Sequence, residues 1–350
     1  MAARQIVPVT SRKTIIAEIL PTHTAALFDA AVRCAAEALR GGEVVALPTE
    51  TVYGLAANAL DPVAVTRIFE IKGRPSHNPI IVHVSDVAMA RRFAADWPVE
   101  AAKLAQSFWP GPLTLIVPKS ADIPDIVTAG GPTVGLRWPS HPFMQAVIRE
   151  CGFPLAAPSA NPSNFLSPTN ANHVRETLGE RLRLIVDGGQ SQVGIESTVV
   201  DVTTQPPTVL RPGMIHAESL LAALGGTALH VTGESSAGTL KSPGQLKKHY
   251  SPKARLVIRR WSDDAELLRH LAEIGATLRE IQVVAYSHIP TVSGLGGVSV
   301  IPHDAEAYAR ALYGELHRCD AEGTHWIVVE APPEDPEWLA ITDRLRRAAS

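Results

Sequence analysis

Apolar residues fall into short runs broken by glycine and proline, and their spacing switches between helical and strand periods along the chain. Residues 24–39 are rich in Ala and Leu at helical spacing, and Gly41-Gly42 stops them. Residues 43–49 (E-V-V-A-L-P-T) form a valine-rich run that reads as a buried strand. Asp61-Pro62 then opens a helix to about residue 71, with Asp as N-cap and Pro in the first turn. Strands are expected at 80–84, 113–117, 133–138, 155–157, 183–187, 197–202 and 208–210, with two short helices between the first two. This mixture defines an α/β unit, and the late run of strands argues against a purely parallel sheet. A second unit begins near residue 255. It reads strand 255–259, helix 263–274, strands 282–286 and 298–301, helix 304–318, strand 326–330 and helix 335–347. That order is a small three-layer α/β domain of Rossmann-like style.

Length agrees with two units, since 350 residues exceed one ordinary domain. Between them, residues 225–244 are rich in Gly, Ser and Thr and read as a linker. With 45% apolar and 19% charged residues, the chain is not of the disordered class. The net charge of −3 advertises no nucleic-acid or membrane partner. Charge is concentrated locally, because residues 240–260 hold seven basic side chains and no acidic one. Cys34, Cys151 and Cys319 form no C-x-x-C pair, which fits a reducing compartment. No signal-peptide core and no apolar run of spanning length occurs, so a soluble, cytoplasmic protein is expected. The phosphate loop, G-x-G-x-x-G, G-x-S-x-G and H-E-x-x-H signatures are all missing.

Polar signatures instead interrupt the first unit at strand ends, where α/β proteins place ligands. Residues 48–55 (P-T-E-T-V-Y-G-L) bring two hydroxyls, a carboxylate and a phenol to one strand terminus. Lys72-Gly73-Arg74-Pro75 sets two cations around a glycine, a pattern able to clamp a polyphosphate or simply to end a helix. Arg137, in T-V-G-L-R-W-P at 133–139, is costly to bury unless an anion meets it. A-P-S-A-N-P at 157–162, E-S-T-V-V-D at 196–201 and L-R-P-G at 210–213 follow. His83, inside a strand, reads on its own as a satisfied core histidine.

Taken together and in this order, these motifs resemble the YrdC-like domain of threonylcarbamoyl-AMP synthases. S-P-G-Q-L-K-K-H-Y-S-P at 242–252 resembles the linker of the family's two-domain form, although Gln245-Leu246-Lys247-Lys248 departs from it. The resemblance implies a YrdC-like twisted mixed sheet at 20–215, a linker and lid at 216–254, and a Rossmann-like domain at 255–346. It implies that L-threonine, bicarbonate and ATP become threonylcarbamoyl-AMP and pyrophosphate, for later transfer to tRNA by separate machinery. Thr51, His83, Arg137, Ala157 and Ser197 would then hold L-threonine. Lys72, Arg74, Asn78, Thr133, Ser159, Asn161, Ser167, Arg211 and Tyr250 would line the ATP site, with Lys72 and Arg74 on the triphosphate. Mg²⁺ is expected with the ATP, and the basic island at 240–260 beside it. Two other readings compete: a hydrogenase-maturation carbamoyltransferase, and a non-catalytic module binding double-stranded RNA or serving ribosome maturation, with weak RNA binding also compatible with the enzyme.

Overall fold

Strands of only two to six residues carry the first unit, and most are apolar on both sides, so their sheet is covered on both faces. The computed structural model describes residues 16–226, 228–231, 241 and 250–349. The strands are β1 (Glu18–Pro21), β2 (Val45–Leu47), β3 (Gly54–Asn58), β4 (Val82–His83), β5 (Leu113–Pro118), β6 (Thr133–Arg137), β7 (Leu155–Ala156), β8 (Leu184–Asp187), β9 (Thr198–Asp201), β10 (Thr208–Arg211) and β11 (His230–Val231). They form one sheet of eleven in the order β1-β8-β2-β3-β7-β4-β6-β5-β9-β10-β11. Its pairing is mixed, with β4 parallel to β6 and antiparallel to β7. Alternate residues serve the two faces. Val45 and Leu47 pack under the helices Ala25–Arg40 and Pro142–Cys151, whereas Ala46 faces the larger core with Leu55, Val82, Leu115 and Leu136.

Local chemistry sets the helix ends. Thr24 accepts from the Leu27 N–H and Asp61 from the Val63 N–H, each capping its helix. Gly73, at φ 61°, ends the helix Pro62–Lys72 and turns the chain sharply into Arg74.

The second sheet is four-stranded and wholly parallel. Its strands are β12 (Arg255–Arg259), β13 (Ile281–Ala285), β14 (Gly297–Val300) and β15 (Trp326–Glu330), ordered β12-β15-β13-β14. Helix Asp264–Ile274 covers one face, and helices Ala305–Ala321 and Leu339–Ala348 cover the other. The three-layer expectation for this unit agrees with the structure.

Several elements depart from the sequence reading. Strands β1 and β3 and the helices Pro142–Cys151 and Ala171–Leu178 had no counterpart in it. Ala171–Leu178 buries only Ala171, Val174 and Leu178, too sparse an apolar stripe to stand out. Part of the segment expected as linker at 216–254 is regular structure. Helix Ala217–Ala223 buries Leu220 in the first unit's core, and β11 extends the first sheet by pairing with β10. Residues 227, 232–240 and 242–249, including most of the expected linker motif, lie outside the described residues.

The two units meet along helix Ala305–Ala321. A side chain at Gly194 would overlap the Arg310 backbone at 2.4 Å, so glycine there permits the close approach. Arg310 Nε donates to the Gln192 carbonyl at 2.7 Å. His317 Nε2 donates to the Ser167 carbonyl at 3.1 Å, and its ring stacks on His173 at 3.9 Å.

Candidate active site

The convergence of β4, β6 and β7 creates one side of a cavity. His83 lies beside both Arg137 and Leu155 in register, so an imidazole and a guanidinium arrive together at the strand ends. Arg137 Nη2 sits 2.7 Å from Glu50 Oε1, an ion contact without hydrogen-bond alignment, and both groups are about 5% exposed. Arg137 Nε also donates to the Gly111 carbonyl at 3.3 Å. Burial, the largest influence, pushes the Glu50 carboxyl up, but the Arg137 charge together with close polar contacts from Arg137 and the Ser140 and Glu50 backbone holds it below its ordinary range. Burial, and then Arg137, push the His83 pKa well down, so His83 is a neutral imidazole whose Nδ1 lacks a partner among the described residues.

The loop between β2 and β3 forms the roof. Thr49 Oγ1 bonds the Val52 carbonyl at 2.6 Å and the Thr51 hydroxyl at 2.9 Å, which folds P-T-E-T-V-Y around one hydroxyl. The Tyr53 hydroxyl donates to the Gly189 carbonyl at 2.7 Å and anchors the loop to the chain beyond β8.

The opposite side is cationic. Arg74 donates to Asn78 Oδ1 and to the Pro79 carbonyl, both at 2.7 Å, so the turn after the helix holds its fork. Burial lowers its pKa to about 10, and the side chain remains charged at neutral pH. Arg211 donates to the Ser197 carbonyl and hydroxyl at 3.0 and 3.1 Å, and Thr114 meets that hydroxyl at 2.8 Å. Tyr250 is fully buried against the cavity with φ 60°, a conformation non-glycine residues seldom adopt.

Nine of the fourteen expected site residues line this one cavity: Thr51, Arg74, His83, Arg137, Ala157, Ser159, Ser197, Arg211 and Tyr250. Its empty volume, with the open mouth included, is about 510 Å³. Four others stand behind the lining. Lys72 Nζ donates to the Ser159 and Asn161 carbonyls at 2.6 and 2.5 Å, so it braces the A-P-S-A-N loop. Asn78 orients Arg74, Asn161 Nδ2 bonds the Phe165 carbonyl at 2.7 Å, and the Ser167 hydroxyl donates to Glu196 at 2.5 Å. Thr133 starts β6, at the far end from Arg137 and outside the lining. The basic island is corrected: none of its described members lines the cavity. Lys241 pairs with Asp201, Arg260 with Glu334, and Arg255 lies over the Trp326 ring, while Lys247 and Lys248 lie outside the described residues. Arg255 and Arg260 stand on or beside the edge strand β12, which turns them toward partners of the second unit.

Sequence reasoning missed Glu50 and Glu196 as site residues, although both stood inside quoted motifs. It also missed Thr114, Tyr313 and Arg344, which no motif marked.

Known proteins resemble this chain in sequence and fold. A family model described as "Telomere recombination" matches residues 37–213, and one described as "Threonylcarbamoyl-AMP synthase, C-terminal domain" matches residues 215–350. The chain is 40% identical over 324 residues to the threonylcarbamoyl-AMP synthase of Pyrococcus abyssi (strain GE5 / Orsay), covering 91% of this chain and 94% of that one. The chain belongs to the threonylcarbamoyl-AMP synthase family. The family's Bacillus subtilis (strain 168) member is 41% identical over 332 residues, 92% of this chain and 93% of its own. Among solved structures, P. abyssi Sua5 complexed with L-threonine superposes with a TM-score of 0.86 at 37% identity, covering 95% of this chain and 97% of that one. Both sheets of the family's two-domain form are therefore present in one chain.

Proposed function

We propose that this cavity joins L-threonine, carbon dioxide from bicarbonate, and ATP into threonylcarbamoyl-AMP, releasing pyrophosphate and water. The observation that carries the reading is the division of the cavity into two charged sides. Arg137, with neutral His83 beside it, suits an amino-acid carboxylate by its planar fork. Arg74 and Arg211 suit a triphosphate. The threonine amine attacks carbon dioxide to give a carbamate. A carbamate oxygen then attacks the α-phosphorus of ATP, and the bond to the pyrophosphate oxygen breaks. No enzyme nucleophile takes part, so the residues bind, orient and stabilise charge. His83 Nδ1 accepts a hydrogen bond from the substrate, and Thr51 and Ser197 fix its polar end. Tyr250, carried at the end of the lid, closes the nucleotide side.

Mg²⁺ enters this reading as part of the nucleotide. The two carboxylates near the cavity, Glu50 and Glu196, are each engaged by an arginine, so these residues do not fit an all-protein magnesium cage. The product carries an activated carbamoyl group, which a separate transferase would place on tRNA adenosine. Among the described residues no helix is long and apolar enough to cross a membrane, and a cytoplasmic setting belongs to the same proposal. Direct RNA binding has the weaker support, because two described members of the basic island, Lys241 and Arg260, are already paired with carboxylates.

Pyrophosphate release tests the reading. It should require threonine and bicarbonate together, and release indifferent to threonine would overturn the assignment.

A further inference from the structure

Glu196 is the one carboxylate among the described residues lining the cavity, and Ser167, whose hydroxyl it accepts, belongs to the side assigned to the nucleotide. A bare carboxylate there would repel a triphosphate. Its partner comes from the other unit. Arg344, with no exposed side-chain surface, donates from Nε to Glu196 Oε2 at 2.6 Å and from Nη2 to the Pro212 carbonyl at 3.1 Å. Nη2 also reaches the Glu196 carbonyl at 3.3 Å. The Tyr313 hydroxyl, on helix Ala305–Ala321, donates to the same carboxylate at 3.2 Å. Arg344 further lies over the Tyr250 ring at 5.4 Å, and Tyr313 packs on that ring at 6.0 Å. Arg344 Nη1 contacts Asp343 at 2.7 Å, but Asp343 has Arg347 at 2.9 Å, so charges balance pair by pair.

We propose that Arg344 is a positioning residue of the nucleotide site: it cancels the charge of the cavity-facing Glu196 and holds Tyr250 against the cavity, so the C-terminal unit completes the site's electrostatics. This rests on the assignment of the cavity to ATP and L-threonine. Arg344 touches neither substrate. It acts through a carboxylate and a ring that do face the cavity, and it reaches them because helix Leu339–Ala348 docks against the loop before β9. A lysine could supply charge here but not the fork that spans Glu196 and Pro212.

Steady-state kinetics of the full chain separates this role from a structural one. Arg344→Met should raise the KM for ATP about 30-fold while the KM for threonine stays within about two-fold. Adding Glu196→Gln to that variant removes the unpaired charge and should recover the KM for ATP by about five-fold or more. An unchanged KM for ATP, or a parallel loss for both substrates without recovery in the double variant, overturns the inference. Should Arg344→Met not fold, Arg344→Lys carries the test: a rise of about five-fold in the KM for ATP alone supports it, and a native value overturns it. Wild-type protein without threonine-dependent pyrophosphate release would defeat the substrate assignment itself. An active wild type with an unaltered Arg344→Met defeats only this inference.

Discussion

Two buried arginine–glutamate pairs border the same cavity, and they are built in opposite senses. In Arg137–Glu50 the cation lines the cavity and the carboxylate stands behind it, with both residues in the first unit. In Arg344–Glu196 the carboxylate lines the cavity, and the cation stands behind it in the second unit. Burying either charge alone would cost several kcal/mol, so each needs its partner, but the outward member differs. In the proposed reading the first pair presents a guanidinium to the carboxylate of threonine. The second, in the same reading, removes a charge that would oppose phosphates, while keeping oxygen acceptors for Ser167 and Tyr313. Under the proposed assignment one pair serves recognition and the other neutrality, and the same two residue types suit either task according to which faces the cavity.

The comparison is broken most severely at the outward cation. Arg137→Met should raise the threonine KM roughly 30- to 150-fold, the loss of about 2–3 kcal/mol of charge-assisted contact, measured with ATP saturating. A threonine KM near the wild-type value would remove Arg137 from recognition. A smaller effect is expected at the member behind it. Glu50→Gln keeps the volume but loosens the fork, and it should raise the threonine KM by about ten-fold with the ATP KM unaltered. Equal changes in both constants would mean that Glu50 organises the whole cavity.

Acid should then act on both pairs at once. Glu50 and Glu196 are held below their ordinary value of 4.5, because the arginines and close polar contacts together outweigh burial, so the unfolded chain binds their protons first as pH falls. Their stabilisation is complete above about pH 4.5 and is lost progressively below it. A flat melting temperature from pH 5 to pH 3 would contradict this. The stacked His173 and His317 between the units add a loss that begins at higher pH. Burial, and then His317, bring His173 down to about 3 from 6.5, so its neutral form is the folded one and stability declines once pH drops below 6.5. His173→Phe should flatten the melting temperature between pH 6.5 and 4.5, and an unchanged slope would assign it elsewhere. Smallest of all, Cys34→Ser, on an exposed thiol remote from the cavity lining, should leave both KM values within measurement error.

Within the first unit, the elements with strong local chemistry were legible: Thr24 and Asp61 as caps, Gly73 as a stop, and the valine-rich run that became β2. Strand β3 was not, because G-L-A-A-N lacks both β-branching and alternation, and only pairing with β2 and β7 makes it a strand. The cavity was legible to the extent that its residues sat in compact polar motifs at strand ends. Lys72 and Arg74 looked equivalent in K-G-R-P. The fold separates them, sending Arg74 to the cavity and Lys72 under the neighbouring loop.

By itself, then, the sequence determined two α/β units, a set of ligand-facing motifs in the first and the chemistry those motifs favour. Such properties depend on neighbours a few residues away. Tertiary structure alone decided which charge of each pair faces the ligand, and that Arg344 answers Glu196 across 148 positions of chain. No local pattern encodes that contact. It exists because glycine at 194 lets the two units approach, and because a buried carboxylate is stable only where the fold brings it a cation.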